Sequence, residues 1–432
     1  MALRLSTSDA GFADAFDALV NARREADADV SADVAAIIKD VRVSGDEAVA
    51  RLTQKFDGHD LEFTGWKVSV AECEAALDGL DPNLRIALEL AAIRIRDYHE
   101  GQRPDNRDYR DDAGVRIGAR WNAVERAGIY IPGGRAAYPS SVLMNAIPAK
   151  VAGADRVIMV TPTPGGEVNP LVLAAAQIAG VDEIWRIGGA QAVAALAFGT
   201  EKITPVDVIT GPGNAWVAEA KRQVYGVVGI DMVAGPSEIV VVADGQNDPE
   251  WIAADLLSQA EHDPTSQSIL FTDDAGFADK VAAHIDAQLA ELATSKTATQ
   301  SWADNGAIIL VDRLEQAMPL VDRLAAEHLE LACDDPQALF NKVRHAGSVF
   351  LGRHTPEAVG DYVAGPNHVL PTGRRARFSS GLSVTDFMKR TSFLECDEAA
   401  LEKIGPAAVA LAEAEGLPAH ATSVQKRLDA RR

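Results

Sequence analysis

Apolar residues recur at helical spacing through the first 125 or so positions, most clearly over residues 30–38 and 84–91, and these stretches predict amphipathic helices. From Glu125 the texture changes to short β-branched runs, Gly turns and Ala-rich segments. Ala127-Gly128-Ile129-Tyr130-Ile131 leads into Pro132-Gly133-Gly134, Arg156-Val157-Ile158-Met159-Val160 precedes an Ala-rich helix, Ile184-Trp185-Arg186-Ile187 meets Gly188-Gly189-Ala190-Gln191, and Val206-Asp207-Val208-Ile209-Thr210 meets Gly211-Pro212-Gly213-Asn214. Strand, Gly turn and helix in repetition predict a parallel, doubly wound sheet with its ligand at the carboxyl ends of the strands. A second α/β set follows, with strands at residues 237–243, 307–311 and 348–351 and helices at 251–262 and 314–331.

The expected fold is therefore α/β, two Rossmann-like doubly wound domains without the usual G-x-G-x-x-G fingerprint, plus small helical terminal segments. Residues 1–25 form an N-terminal helical segment, 26–125 with 237–381 one α/β domain, 126–236 the second, and 382–432 a helical tail too small for a core of its own. The glycine turns alone allow two readings, tight βα connections or backbone that approaches a pyrophosphate.

Charge narrows the partners. With 41 Lys and Arg against 63 Asp and Glu, the net charge is −22 and no basic run offers a footprint for nucleic acid or an anionic membrane. Residues 1–11 lack an apolar signal segment, and no run approaches the roughly 18 apolar residues of a membrane helix, so a cytoplasmic location is expected. Cys73, Cys333 and Cys396 have no metal-type spacing and no His or Gly turn beside them, and read as packing thiols rather than nucleophiles. His59 and His99 read as solvated.

Candidate chemistry gathers in four places. Gln259 and His262, three residues apart near a helix end closed by Pro264, share one face and suit a borderline divalent cation, but two ligands do not close a shell. Glu327-His328, at the expected end of the helix 314–331, offers a carboxylate and an imidazole that diverge by about 100° and serve different atoms. The Gly- and Pro-rich stretch 360–372 presents Asp361 as a metal ligand and His368 as a substrate contact, and Glu415-Gly416-Leu417-Pro418-Ala419-His420 presents His420 from a turn. Gln259, His262, Asp361 and His420 together make a nitrogen and oxygen set with room for a substrate.

The joint order of these blocks resembles the histidinol dehydrogenase family. It is carried by Ile129-Tyr130-Ile131-Pro132-Gly133-Gly134, Gly188-Gly189-Ala190-Gln191, Thr210-Gly211-Pro212-Gly213-Asn214, Ala234-Gly235-Pro236-Ser237-Glu238, Gln259-Ala260-Glu261-His262-Asp263, Glu327-His328-Leu329-Glu330, Gly365-Pro366-Asn367-His368 and Glu415-Gly416-Leu417-Pro418-Ala419-His420. The resemblance implies a zinc enzyme, one ion per site, that oxidises L-histidinol to L-histidine with two NAD in succession. By position it implies Gln259, His262, Asp361 and His420 as zinc ligands, Glu327 and His328 as the catalytic pair, and Tyr130, Gln191 and Asn214 as cofactor contacts. Ser237, His368 and Glu415 join those ligands and that pair as substrate contacts. It further implies a homodimer whose tail reaches into the partner's site and donates His420. Arg374 departs from the pattern, standing where the family carries a second Gly, which bears on local loop shape alone. The alternatives are a sister dehydrogenase of another small alcohol, such as a sulfonated propanediol, and a zinc hydrolase. The first has no imidazole to recognise, and the second has no need of a Gly-turn domain.

Overall fold

The computed structural model describes residues 2–22, 30–133, 138–233 and 235–430; residues 23–25 of the N-terminal segment, and Gly134 and Ala234 of the turn motifs, lie outside them. In chain order the strands are β1 (Leu3–Ser6), β2 (Lys67–Val68), β3 (Arg107–Arg110), β4 (Arg116–Ala123), β5 (Arg126–Tyr130), β6 (Arg156–Val160), β7 (Glu183–Trp185), β8 (Val208–Thr210), β9 (Gly229–Ile230), β10 (Glu238–Ala243), β11 (Gln267–Thr272), β12 (Ala307–Leu310), β13 (His328–Ala332), β14 (Ser348–Leu351) and β15 (Met388–Glu395). They form a six-stranded sheet ordered β1-β12-β11-β10-β13-β14, a second ordered β2-β7-β6-β5-β8-β9, and a three-stranded antiparallel sheet ordered β15-β4-β3.

The first sheet is parallel throughout, and the second is parallel except at the β2–β7 edge. Helices cover both faces, so strand residues are apolar on both sides and alternate between two cores. Val240 and Val242 join one core while Ile239 and Val241 join the opposite one. Ile129 and Met159 do the same against Tyr130 and Ile158 in the second sheet. The α/β reading from sequence therefore holds.

The structure differs from the expected boundaries. Helices Ser31–Asp57, Val70–Asp78 and Pro82–Glu100, expected with 237–381, pack instead on the second sheet, and β2 pairs with β7. Val34, Ile37, Ile38 and Val41 share a core with the Ala-rich helix Gly189–Phe198. Helical periodicity marks an apolar face but is silent on which sheet that face covers. The N-terminal segment is not purely helical, because β1 is an edge strand of the first sheet. Nor is the tail, whose β15 pairs along its whole length with β4.

Glu327 and His328 do not end a helix. The helix Met318–Leu324 stops at Ala325, whose φ of 47° is left-handed, and His328 opens β13, which lies between β10 and the edge strand β14 of the first sheet. His59 and His99 are also not solvated. His59 is buried between the Thr64 and Thr163 hydroxyls, and His99 is buried with Nδ1 at 2.7 Å from the Ile95 carbonyl. Both sit in segments whose polar sequence neighbours hide their tertiary environment. Cys73 and Cys333 are buried as expected of packing thiols, and burial with Glu72 and Glu74 nearby pushes the Cys73 thiol up to about 11.

Burial lowers the His99 pKa, against the opposing pull of the Ile95 and Leu382 carbonyls. The unfolded chain therefore takes up this proton at the ordinary histidine value near 6.5, before the folded chain does, so the contribution is whole above that pH and lost below it. His99→Gln retains a donor for Ile95 and an acceptor for Asn367. Its melting temperature should drop less between pH 7.5 and 5 than the parent's, by on the order of 2 °C in a calorimetric scan.

Candidate functional site

A dense group of buried polar side chains lies at the amino ends of β10, β11 and β13, opposite to the carboxyl ends where the sequence led one to expect a ligand. Gln259 occupies the last turn of the helix Pro249–Ala260 and His262 the turn after it. Glu327 and His328 sit where β13 begins, and parallel pairing sets His328 opposite Ile239 of β10. The short helix Glu357–Tyr362 then crosses over β13, anchored by the Glu357 N–H donating to Glu330 Oε1 at 3.0 Å. Its Glu357 and Asp361 are four residues apart and share one face.

These elements converge. Donor atoms of His262, Glu357 and Asp361 lie within 4.8 Å of one another, an imidazole nitrogen with two carboxylate oxygens. Gln259 joins the pocket through its Oε1, 3.1 Å from His328 Nδ1. That nitrogen also faces the Glu238 carbonyl at 3.2 Å and Glu357 Oε1 at 3.2 Å. A carbonyl only accepts, so Nδ1 carries the proton and donates it. Nε2 is left with a bare lone pair and no hydrogen-bond partner, 3.7 Å from Asp361 Oδ1.

Electrostatics follow from burial. His328 is pushed down to about 3 by its buried position, with His262 and His368 adding to this and the Glu238 carbonyl opposing it, so the ring is neutral near pH 7. Glu327 is driven well above the carboxylate range, first by burial and then by the Glu238 and Asp361 charges. Glu357 moves the same way through burial and the Asp361, Glu327 and Glu330 charges, and Asp361 rises to about 6 through burial, with His262 opposing. Several carboxylates held from water without a lysine or arginine among them make a site that a cation would relieve.

The expected substrate contacts divide. Ser237 hydrogen-bonds the Glu327 carboxyl, whose Oε2 also accepts the Glu238 N–H at 3.1 Å. His368 reaches the pocket edge, its Nδ1 2.9 Å from the Asp361 carbonyl and its Nε2 3.4 Å from Ser141 Oγ. Glu415 and His420 are not brought there. Both are exposed on the C-terminal helices Glu398–Ala414 and Pro418–Asp429, which pack on each other, and their side chains make no hydrogen bond or ion pair to the pocket.

The cofactor candidates lie at the carboxyl ends of the second sheet. Tyr130 ends β5, and its buried hydroxyl accepts the Gly189 N–H at 3.0 Å. Gln191 is buried with Oε1 unpartnered, just inside the helix Gly189–Phe198 that starts without a side-chain cap. Asn214 Oδ1 caps the helix Ala215–Val224 by accepting the Trp216 and Val217 N–H groups, which leaves Nδ2 as the donor it can offer. A cleft of about 660 Å³, lined by Asn214, Ser237 and Arg374 among others, runs between this turn and the start of β10.

Glu357, Glu238 and Ser141 were not identified from the sequence. Only Glu357 carried a usable signal, its four-residue spacing from Asp361. Glu238 acts through its backbone, which no residue type announces.

A bare imidazole beside a metal-type donor set, with Gly-turn strand ends across a cleft, is an arrangement that an α/β dehydrogenase can use. The histidinol dehydrogenase family model matches residues 20–428. Relatives named histidinol dehydrogenase include one from Zymomonas mobilis, 66% identical over 99% of this chain and 100% of its own, and one from Rhodospirillum rubrum, 60% identical over 99% of each. The crystal structure of histidinol dehydrogenase from Elizabethkingia anophelis superposes with a TM-score of 0.95 at 36% identity, covering 99% of this chain and 98% of that one. The chain belongs to the histidinol dehydrogenase family, an oxidoreductase family, which sets aside the hydrolase reading. No helix among the described residues is long and apolar enough to cross a membrane.

Arg374, the departure from the family pattern, has a φ of 65° and follows Gly373 at 60°, so the loop does demand a left-handed residue there. Its Nε donates to the Arg323 carbonyl at 3.1 Å. A β-branched residue tolerates this conformation worst. Arg374→Val should cost about 1–3 kcal/mol in urea denaturation, while Arg374→Gly should stay within about 1 kcal/mol of the parent.

Proposed function

We propose that this chain carries out the four-electron oxidation of L-histidinol to L-histidine through bound histidinaldehyde, the last step of histidine biosynthesis, with zinc and NAD, as a homodimer. The observation that carries the reading is His328, a neutral imidazole whose Nδ1 is committed to the Glu238 carbonyl and whose bare Nε2 faces the group formed by His262, Glu357 and Asp361.

Gln259, His262 and Asp361 would hold the zinc, with His420 of the partner subunit closing the set. The buried carboxylates and the imidazole of His262 suit such an ion. When bound, it fixes the substrate's nitrogens and lowers the cost of buried negative charge. His328 Nε2 accepts the hydroxyl proton as hydride leaves the carbinol carbon for nicotinamide. Glu327, drawn to its carboxylate form by a cationic neighbourhood, then takes a proton from water as the oxygen adds to the aldehyde. His328, having released its first proton, accepts one from the hydrate as the second hydride departs. His368 and Ser237 lie where they can hold the substrate, and Tyr130, Gln191 and Asn214 where they can hold the dinucleotide. The unpartnered Gln191 oxygen in particular fits a donor on a ligand.

Two measurements test this. Adding limiting histidinol to the enzyme with NAD should yield two NADH per substrate by absorbance. Glu327→Gln should oxidise supplied histidinaldehyde about 10²–10⁴-fold more slowly while losing far less in the first step. An equal loss in both would reject the division of labour. For the dimer, His262→Ala and His420→Ala should each be inactive alone. Mixing them after mild dissociation should restore up to about a quarter of the activity, since one site in a mixed dimer has both residues intact. No recovery would place His420 elsewhere.

A further inference from the structure

Beneath the turn Gly211-Pro212-Gly213-Asn214 lies a buried ion pair that none of the steps above uses. Lys221, from the buried side of the helix Ala215–Val224, pairs with Asp231 beyond β9, and their side chains are only 3% and 1% exposed. Both partners are also bonded to the backbone of one residue. Lys221 Nζ donates to the Gly211 carbonyl at 2.9 Å, and the Gly211 N–H donates to Asp231 Oδ2 at 2.8 Å. Asp231 Oδ1 accepts the Met232 N–H at 2.6 Å, and Asp231 is itself tied to the sheet by its N–H to the Ile209 carbonyl at 3.3 Å.

Gly211 needs such support. Its φ of +113° is a conformation side chains rarely adopt, and a Cβ there would stand 2.1 Å from the Tyr130 carbonyl. Gly213 is as confined, with a Cβ position 2.4 Å from Val217 Cγ1. The turn is therefore held against β5 on one side, against the first turn of its own helix on another, and from below by the ion pair. Both polar groups of Gly211 point inward, away from the cleft.

Burying two charges is costly compared with apolar packing, and a pair kept in the core for stability alone could be replaced by aliphatic residues. What this pair does that aliphatic residues cannot is to accept an N–H and donate to a carbonyl at the same glycine. It does so without placing net charge under a site meant for an anionic ligand. We propose that Lys221 and Asp231 are positioning residues for the dinucleotide: they fix the Gly211–Asn214 turn, and through it the Asn214 amide and the Tyr130 strand end, in the geometry that binds NAD. This rests on the cofactor assignment made above for Tyr130 and Asn214.

The test compares two charge-neutral double variants of the full-length, metal-loaded enzyme. Lys221→Met/Asp231→Leu removes both bonds to Gly211, whereas Lys221→Met/Asp231→Asn keeps an acceptor for its N–H. The first should raise the KM for NAD about 30-fold and weaken NADH binding in a fluorescence titration by a similar factor. The kcat at saturating NAD, the KM for histidinol and the metal content should each stay within about threefold. The Asn variant should recover part of the loss, and it carries the test alone if the Leu variant does not fold. An unchanged KM for NAD in the folded variant overturns the proposal. So does a parallel fall in kcat and both substrate affinities, which marks general destabilisation. Asn214→Ala, assayed beside them, separates the two levels. If it weakens NAD binding and the pair variants do not, the clamp alone is wrong; if neither does, the cofactor assignment of this turn is wrong too.

Discussion

The parallel pairing of β10 with β13 is the constraint on which the site depends. That pairing sets Ile239 opposite His328, and the residue before it, Glu238, then has both backbone groups at the mouth of the ladder. Its N–H goes to the Glu327 carboxyl and its carbonyl to His328 Nδ1. Those two bonds fix a carboxyl orientation and a tautomer. A slip of one residue would turn His328 to the other face of the sheet and leave both groups unpaired. Because β10 and β13 are both flanked by strands on each side and covered on both faces, there is little slack for such a slip.

Around that ladder the protein keeps more carboxyl groups than it can satisfy. Glu330 Oε2 and Glu357 Oε2 are buried without hydrogen-bond partners, and Glu327, Glu330 and Glu357 all lie well above the carboxylate range because burial and mutual charge oppose ionisation. Left alone, the group is strained. On the proposed reading, a divalent ion and a substrate amine would reverse the sign of the local potential, and the same carboxyls could then serve as ligands and a base. The strain is thus tied to binding, and the neutral His328 fits a centre that must accept protons without adding a second positive charge beside a metal.

Much of the fold was legible because a doubly wound sheet repeats a local pattern. The Gly turns after Tyr130, Ile187 and Thr210 announced the second sheet, and Gln259, His262 and Asp361 proved to share a pocket. What failed was decided at long range. The helix that ends at Ala325 and the strand that starts at His328 read as one apolar run, since the break is a left-handed alanine and not a glycine or proline. The helices of residues 31–100 showed their apolar faces but not their sheet. His59 and His99 looked solvated because their partners, Thr163 and Asn367, are distant in sequence. Glu357 needed its contacts with β13 to be visible as more than a surface acid.

The tail raises a different question, answered by its packing. In helices Glu398–Ala414 and Pro418–Asp429 the buried residues are small ones, Ala400, Gly405 and Ala421, while Ile404, Leu411 and Leu417 are exposed by 40%, 66% and 43%. Two helices that leave some large apolar residues in water and fully bury only small ones gain little stability from packing on this chain alone. The pair is nevertheless held out at a fixed place, because β15 is zipped along β4 before the helices begin. An arm that is fixed at its root and leaves Ile404, Leu411 and Leu417 in water is suited to the contact that the proposed homodimer would make. On the proposed reading, His420, which makes no contact with the pocket of its own chain, would complete in the partner the set offered by Gln259, His262 and Asp361.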